Sequence, residues 1–148
     1  MTLTTHPDVP ATTAPALTGF HHLGLTVRAI DDSEAWYAEV LGMVRAFVEP
    51  HPTGGGHTVV MTCPGTALFL GLDYHPQADH KRFDARRTGL DHLALRLQDR
   101  SDLDAWVARL DALGTQHGPV HENDDPTYAA VLVHDPDGIP IELFWSAA

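Results

Sequence analysis

The sequence predicts an α+β fold made of two βαβββ modules, and three observations carry that prediction. The stretch Phe20-His-His-Leu-Gly-Leu-Thr-Val27 returns 70 residues later as Leu90-Asp-His-Leu-Ala-Leu-Arg-Leu97. The match extends without a gap through Asp32/Asp102, Ala35/Ala105, Trp36/Trp106 and Ala38/Ala108, so one unit is used twice. Both stretches alternate with period two, the signature of a strand with two unlike faces. Leu23, Leu25 and Val27, like Leu93, Leu95 and Leu97, make aliphatic faces, while His22, Gly24, Thr26 and His92, Ala94, Arg96 face the other way.

Taken in order, residues 1–18 are rich in Thr, Pro and Ala without an apolar period and read as an extended or disordered tail. After the strand 20–27, Asp31, Asp32 or Ser33 is expected to cap a helix carrying Trp36, Tyr37, Val40 and Leu41 on one side, and Gly42 to end it. A strand at about 43–48 follows. Beyond the turn through Pro50, Pro52 and Gly54 to Gly56, strands 57–63 and 66–72 meet at Pro64-Gly65 and complete the first module, 19–72.

Residues 73–90 are a polar connection with His75, His80, Lys81, Arg82, Arg86 and Arg87. The basic cluster reads either as a solvated loop or dimer contact, or as a steering patch for an anionic substrate group at a cavity mouth. The second module, 91–146, opens on Asp91. Ser101 with Asp104 resembles a capping box, and Leu103, Trp106, Val107, Leu110 and Leu113 form a helical stripe that Gly114 closes. Each tryptophan is expected to anchor its helix on the aliphatic face of its own sheet. Strands at 115–121, 127–134 and 139–145 finish the chain, the last two joined by Asp135-Pro-Asp-Gly138.

Length and charge narrow the functions. With 148 residues the chain suffices for one domain, 19–146, with a sizeable core. Twenty acidic against nine basic residues, a formal charge of -11, disfavour nucleic acid or an anionic membrane as partner and leave a small molecule. A single cysteine, Cys63, permits no internal disulfide; with no leader pattern at the start, a cytoplasmic setting is expected.

Chemistry concentrates on the non-aliphatic face. In Ile139-Pro-Ile-Glu-Leu-Phe-Trp145, Ile141 and Leu143 point toward the helices, so Glu142 points with His22 and His92. A carboxylate within so apolar a strand calls for a cation, and two histidines plus one carboxylate are the ligand set of the 2-His-1-carboxylate triad. Fe(II) suits that set, and Mn(II) or Zn(II) can occupy it.

These residues resemble the vicinal oxygen chelate superfamily of glyoxalase I, type I extradiol dioxygenases, fosfomycin-resistance transferases and bleomycin-binding proteins. The resemblance covers about 19–146 and rests on His22-Leu-Gly-Leu-Thr-Val27, Trp36-Tyr37 ahead of Leu41-Gly42, Asp91-His-Leu-Ala-Leu95 and Asp135-Pro-Asp-Gly-Ile-Pro-Ile-Glu-Leu143. It implies that the paired modules form a curved mixed-sheet cup around a divalent metal held by His22, His92 and Glu142, with the helices on the outer face. It also implies a homodimer. Two departures stand out. Phe69 is read at the position where glyoxalase I and methylmalonyl-CoA epimerase carry a fourth ligand, which argues against both isomerase activities. Leu132 stands ten residues before Glu142, where the extradiol dioxygenases and fosfomycin transferases carry a tyrosine, and Tyr128 lies four residues earlier on the same strand face.

The leading expectation is an Fe(II) dioxygenase-like enzyme that chelates adjacent substrate oxygens. Phe69, Leu132 and Phe144 would be its apolar walls, Arg96 a polar contact, and Tyr128 or His75 the general base. The alternatives are a drug-binding or resistance protein without turnover, and a Mn(II)- or Zn(II)-dependent transferase or lyase.

Overall fold

A computed structural model describes residues 15, 17–124 and 127–147. The N-terminal tail expected over 1–18 lies almost wholly outside them. The elements are β1 (Leu23–Thr26), α1 (Ile30–Leu41), β2 (Val44–Pro50), β3 (His57–Thr62), β4 (Phe69–Tyr74), β5 (Leu93–Arg96), α2 (Arg100–Ala112), β6 (His121–Glu122), β7 (Tyr128–His134) and β8 (Pro140–Ser146). The predicted pair of βαβββ modules is therefore present. Each forms its own four-stranded mixed sheet, in the orders β1-β4-β3-β2 and β5-β8-β7-β6.

In both sheets the first strand of the module lies parallel to the last, and the remaining neighbours are antiparallel. That register places Gly24 beside Gly71 in the first module and Ala94 beside Glu142 in the second. The aliphatic faces of the two sheets share one core in which Leu25, Val27, Val59, Met61, Leu72, Val131, Val133, Ile141 and Leu143 are buried. Tyr37, Val40 and Leu41 of α1 and Leu103 and Leu110 of α2 close over it. Trp36 and Trp106 only pack against its edge, so the fully buried anchor of α1 is Tyr37 rather than a tryptophan.

Several boundaries differ from the sequence reading, each for a local reason. Helix α1 begins a turn early, after Ala29, so Asp31 and Asp32 sit in its first turn, favourably placed toward the positive end of the helix dipole. Ser33 is buried within the helix instead of capping it. In α2 the capping box is two residues upstream: Asp99 is the N-cap and its backbone N–H donates to the Asp102 carboxylate at 2.9 Å, displacing the Ser101/Asp104 pair. The strand expected over 115–121 shrinks to His121–Glu122 and an isolated bridge at His117, because Gly118 and Pro119 interrupt it and proline has no N–H to donate to a ladder. Strand β2 runs on to Pro50 and β4 to Tyr74, two residues into the expected connection.

The connection itself is a solvated strap in which Lys81, Arg86 and Arg87, three of its four cations, are paired locally. Lys81 pairs with Asp79 at 3.1 Å, and Arg86 and Arg87 with Asp84 at 2.9 and 3.9 Å, while the Phe83 N–H donates to the Asp137 carbonyl.

Polar contacts at the turn 135–138 fasten the modules together. Asp135 Oδ1 accepts from the N–H groups of Asp137 and Ile139 at 2.9 and 2.8 Å, and its Oδ2 accepts from the Tyr37 hydroxyl at 3.2 Å. Asp137 accepts from the Arg28 backbone N–H at 2.9 Å and forms an ion pair with its guanidinium. From α2, Arg109 donates to the Val40 carbonyl at 2.9 Å and to that of Glu39 at the end of α1. Asp135→Ala should therefore destabilise the fold by about 2–4 kcal/mol, since three donors lose their acceptor. Tyr37→Phe should cost about 1 kcal/mol, and urea denaturation measures both.

Burial, opposed by the Ile139 N–H and reinforced by Asp137, pushes the Asp135 carboxyl above its ordinary 3.8. The folded state thus keeps this proton to higher pH than the unfolded chain. The contribution is fullest below the unfolded value and declines as pH rises through the raised one. Urea midpoints measured between about pH 4 and 7 should lose that part of their slope in Asp135→Asn.

Candidate metal centre

The second module presents the clearest constellation. His92 lies one residue before β5 and Glu142 at the centre of β8, on the face opposite Ile141 and Leu143, which are 0 % and 1 % exposed. Their nearest donor atoms, Nε2 and Oε2, are 3.6 Å apart, a separation two ligands of one ion can adopt. His92 Nδ1 is 2.6 Å from Asp91 Oδ1. A proton on Nδ1, donated to that carboxylate, turns the Nε2 lone pair toward Glu142, the outer support that metal-bound imidazoles commonly have. The Asp91 hydrogen bond, and then the charge of Glu142, hold the His92 imidazole above its ordinary value.

The remaining second-module residues stand around this pair. Leu132 is the cross-strand neighbour of Glu142, and Arg96 pairs in register with Phe144. Tyr128 stacks on Phe144, ring centres 6.0 Å apart and planes 4° from parallel. One sheet face thus carries His92, Arg96, Tyr128, Leu132, Glu142 and Phe144, as the alternation predicts.

His22 and Phe69 belong to the first module. His22 Nδ1 lies 2.9 Å from His21 Nδ1, and His21 stacks on Phe69 at 6.5 Å. A hollow of about 430 Å³ between the modules is lined by His22, Phe69, His92 and Ala94. His22 and His92 thus border one space. Among the described residues, however, His22, His92 and Glu142 do not gather with all three donor atoms within 4.8 Å of one another. The donor types suit a divalent ion; His92 and Glu142 stand together, and the exposed His22 side chain stands apart from them.

The group that does gather within 4.8 Å is His51, Asp73 and His75. It places His75 in a cluster of the first module. Sequence reasoning named only His75 of these three. The available signal was the two-residue spacing of Gly71, Asp73 and His75, which sets them on one strand face; His51 comes from across the sheet and had no local mark.

The register also corrects the fourth-ligand position. Gly24 pairs with Gly71 as Ala94 pairs with Glu142, so the counterpart of Glu142 is Gly71, and Phe69 lies two residues before it. Glycine has no side-chain donor at that position either. Asp73, the next residue on that face, fills the space: a β-carbon at Gly24 would lie 2.7 Å from its Oδ2.

The sequence matches the family model of the Glyoxalase/Bleomycin resistance protein/Dioxygenase superfamily over residues 19–143. The chain belongs to that superfamily. A catechol-2,3-dioxygenase of Bacillus subtilis (strain 168) is 31% identical over 127 residues, covering 83% of this chain but 41% of that protein, so the chain spans about two fifths of its relative. A glyoxylase/bleomycin resistance protein/dioxygenase domain from Frankia sp. EAN1pec superposes with a TM-score of 0.78 at 30% identity, covering 89% of this chain and 100% of that one. The FosX fosfomycin resistance protein from Listeria monocytogenes, solved with Mn(II) and sulfate, shares the fold at a TM-score of 0.63 and 16% identity, with 89% and 95% covered. No helix among the described residues is long and apolar enough to cross a membrane.

Asp91 supplies a test that leaves every ligand intact. Asp91→Asn should weaken metal binding about 10- to 100-fold without unfolding the protein, as titration calorimetry with Mn(II) would show.

Proposed function

We propose that this superfamily member is a divalent-metal enzyme of the dioxygenase type, acting on a small substrate that offers two adjacent oxygens to Fe(II). His22, His92 and Glu142 would hold the metal, with Mn(II) or Zn(II) as the substitutes the same donors accept. The observation that carries this reading is the His92–Glu142 pair, 3.6 Å apart, with Asp91 orienting the imidazole from behind. The 31% identity to a catechol-2,3-dioxygenase supports the oxygenase assignment.

When bound, the metal supplies Lewis acidity toward the chelated oxygens and, as Fe(II), redox chemistry with dioxygen. The rest is the work of the chain. The stacked Phe144 and Tyr128 rings offer a flat wall against which a planar substrate can lie, and Leu132 keeps that wall dry beside Glu142. Arg96, exposed and in register with Phe144, can pair with an anionic substituent at the rim. The Tyr128 hydroxyl is carried on a ring of this wall, and general base duty would fall to it rather than to His75, which is held with His51 and Asp73.

A second reading has a specific observation behind it. Because His22 stands apart from the other two donors, a pocket that binds a small molecule without turnover also fits; a transferase or lyase using Mn(II) or Zn(II) is the alternative that the same three donors would serve.

His92→Ala should remove one metal equivalent and reduce turnover by at least about 1000-fold while circular dichroism stays unchanged. Oxygen uptake with a panel of catechols under Fe(II) tests the reaction type. Uptake no faster than that of the His92→Ala variant across the panel would overturn the dioxygenase reading and favour the binder or the transferase.

A further inference from the structure

We propose that His51, Asp73 and His75 form a second divalent-cation site, suited to Zn(II) or Co(II), at one end of the first sheet. This stands independently of the function proposed above.

The three residues arrive there by register. Pro50 of β2, His57 of β3 and Tyr74 of β4 lie in one row across the sheet. His51 and His75 are the next residues beyond that row on their own strands, and Asp73 precedes it. Donor atoms from all three fall within 4.8 Å of one another. His51 Nε2 is 3.2 Å from Asp73 Oδ1, close to the roughly 3.3–3.6 Å that separates neighbouring ligands on a tetrahedral Zn(II) with bonds of about 2.0–2.2 Å. The imidazoles of His51 and His75 approach to 4.6 Å between ring centres. Two imidazoles and one carboxylate make a His₂Asp donor set for one cation.

Two further features hold the donors in position. The Thr58 hydroxyl donates to Asp73 Oδ1 at 2.5 Å, the kind of outer hydrogen bond that fixes a ligating carboxylate. Gly56 ends the loop that begins at His51, whose N–H donates to the Gly56 carbonyl at 2.9 Å. A β-carbon at position 56 would strike the Tyr74 carbonyl and lie 2.6 Å from His51 Nδ1, so only glycine leaves the ring its place. A bound cation would tie the 51–56 loop to the end of β4. Asp73 and Thr58 also line the first-module hollow that contains His22, Phe47, Glu49 and Phe69, so this ion would place positive charge on its wall.

The test uses the full chain with His92→Ala and Glu142→Gln combined, which removes two of the three other proposed ligands and leaves only His22. Titrated with Co(II), that variant should bind one equivalent with the visible absorption of a tetrahedral ion, and Zn(II) should raise its melting temperature. Adding His51→Gln and His75→Ala should weaken binding by more than about 100-fold and abolish the shift; His75 is exposed, so its replacement leaves the fold intact. Failure of the His92/Glu142 variant to take up an ion, or uptake indifferent to His51 and His75, would overturn the proposal. Wild-type stoichiometry that falls with His51 and His75 but not with His92 and Glu142 would sustain this site while removing the one proposed for turnover.

Discussion

The structure depends on the parallel pairing of the first strand of each module with its last. Parallel neighbours need a long crossover, and here helix and hairpin supply it, bringing residues nearly fifty positions apart into adjacent register. Because side chains alternate along a strand, one register decision sorts every residue at once. In the second module it sends Ile141 and Leu143 into the core and leaves Glu142 beside the strand that His92 begins. A slip of one residue would bury the carboxylate among leucines and expose two core side chains. Such a slip carries the cost of an unpaired buried charge as well as lost apolar burial.

The same scaffold explains why the two halves, alike in sequence, present different chemistry. The position that carries Glu142 in the second module is Gly71 in the first, and Asp73 extends its carboxylate over the glycine floor made by Gly24 and Gly71. The repeat thus divides its polar faces: a histidine and glutamate beside an aromatic wall in one module, and a His₂Asp cluster at a sheet end in the other. Membership of the superfamily accounts for the architecture of both.

Between the modules, a few polar groups do what a continuous sheet does elsewhere. Tyr37, Arg28 and Arg109 reach across to Asp135, Asp137 and the end of α1, and the buried Asp135 carboxylate answers three donors. Buried polar groups of this kind fix one geometry, since a shifted interface would strand them without partners. This link sets how the first-module hollow, with His22, stands relative to His92.

The sequence by itself determined the duplicated βαβββ plan, the aliphatic and polar faces, and the placement of His92, Arg96, Tyr128, Leu132, Glu142 and Phe144 on one surface. All of these follow from local period and from a repeat visible in the residues. Caps and short strands were less legible, because Asp99 competes with Ser101 and a proline removes ladder bonds from an otherwise plausible strand. Tertiary structure alone decided that Gly71 is the counterpart of Glu142, that His22 stands off from its expected partners, and that His51 meets Asp73 and His75. Those are matters of register between distant strands and of one module's seat on the other, set by long-range packing that no local pattern of residues encodes.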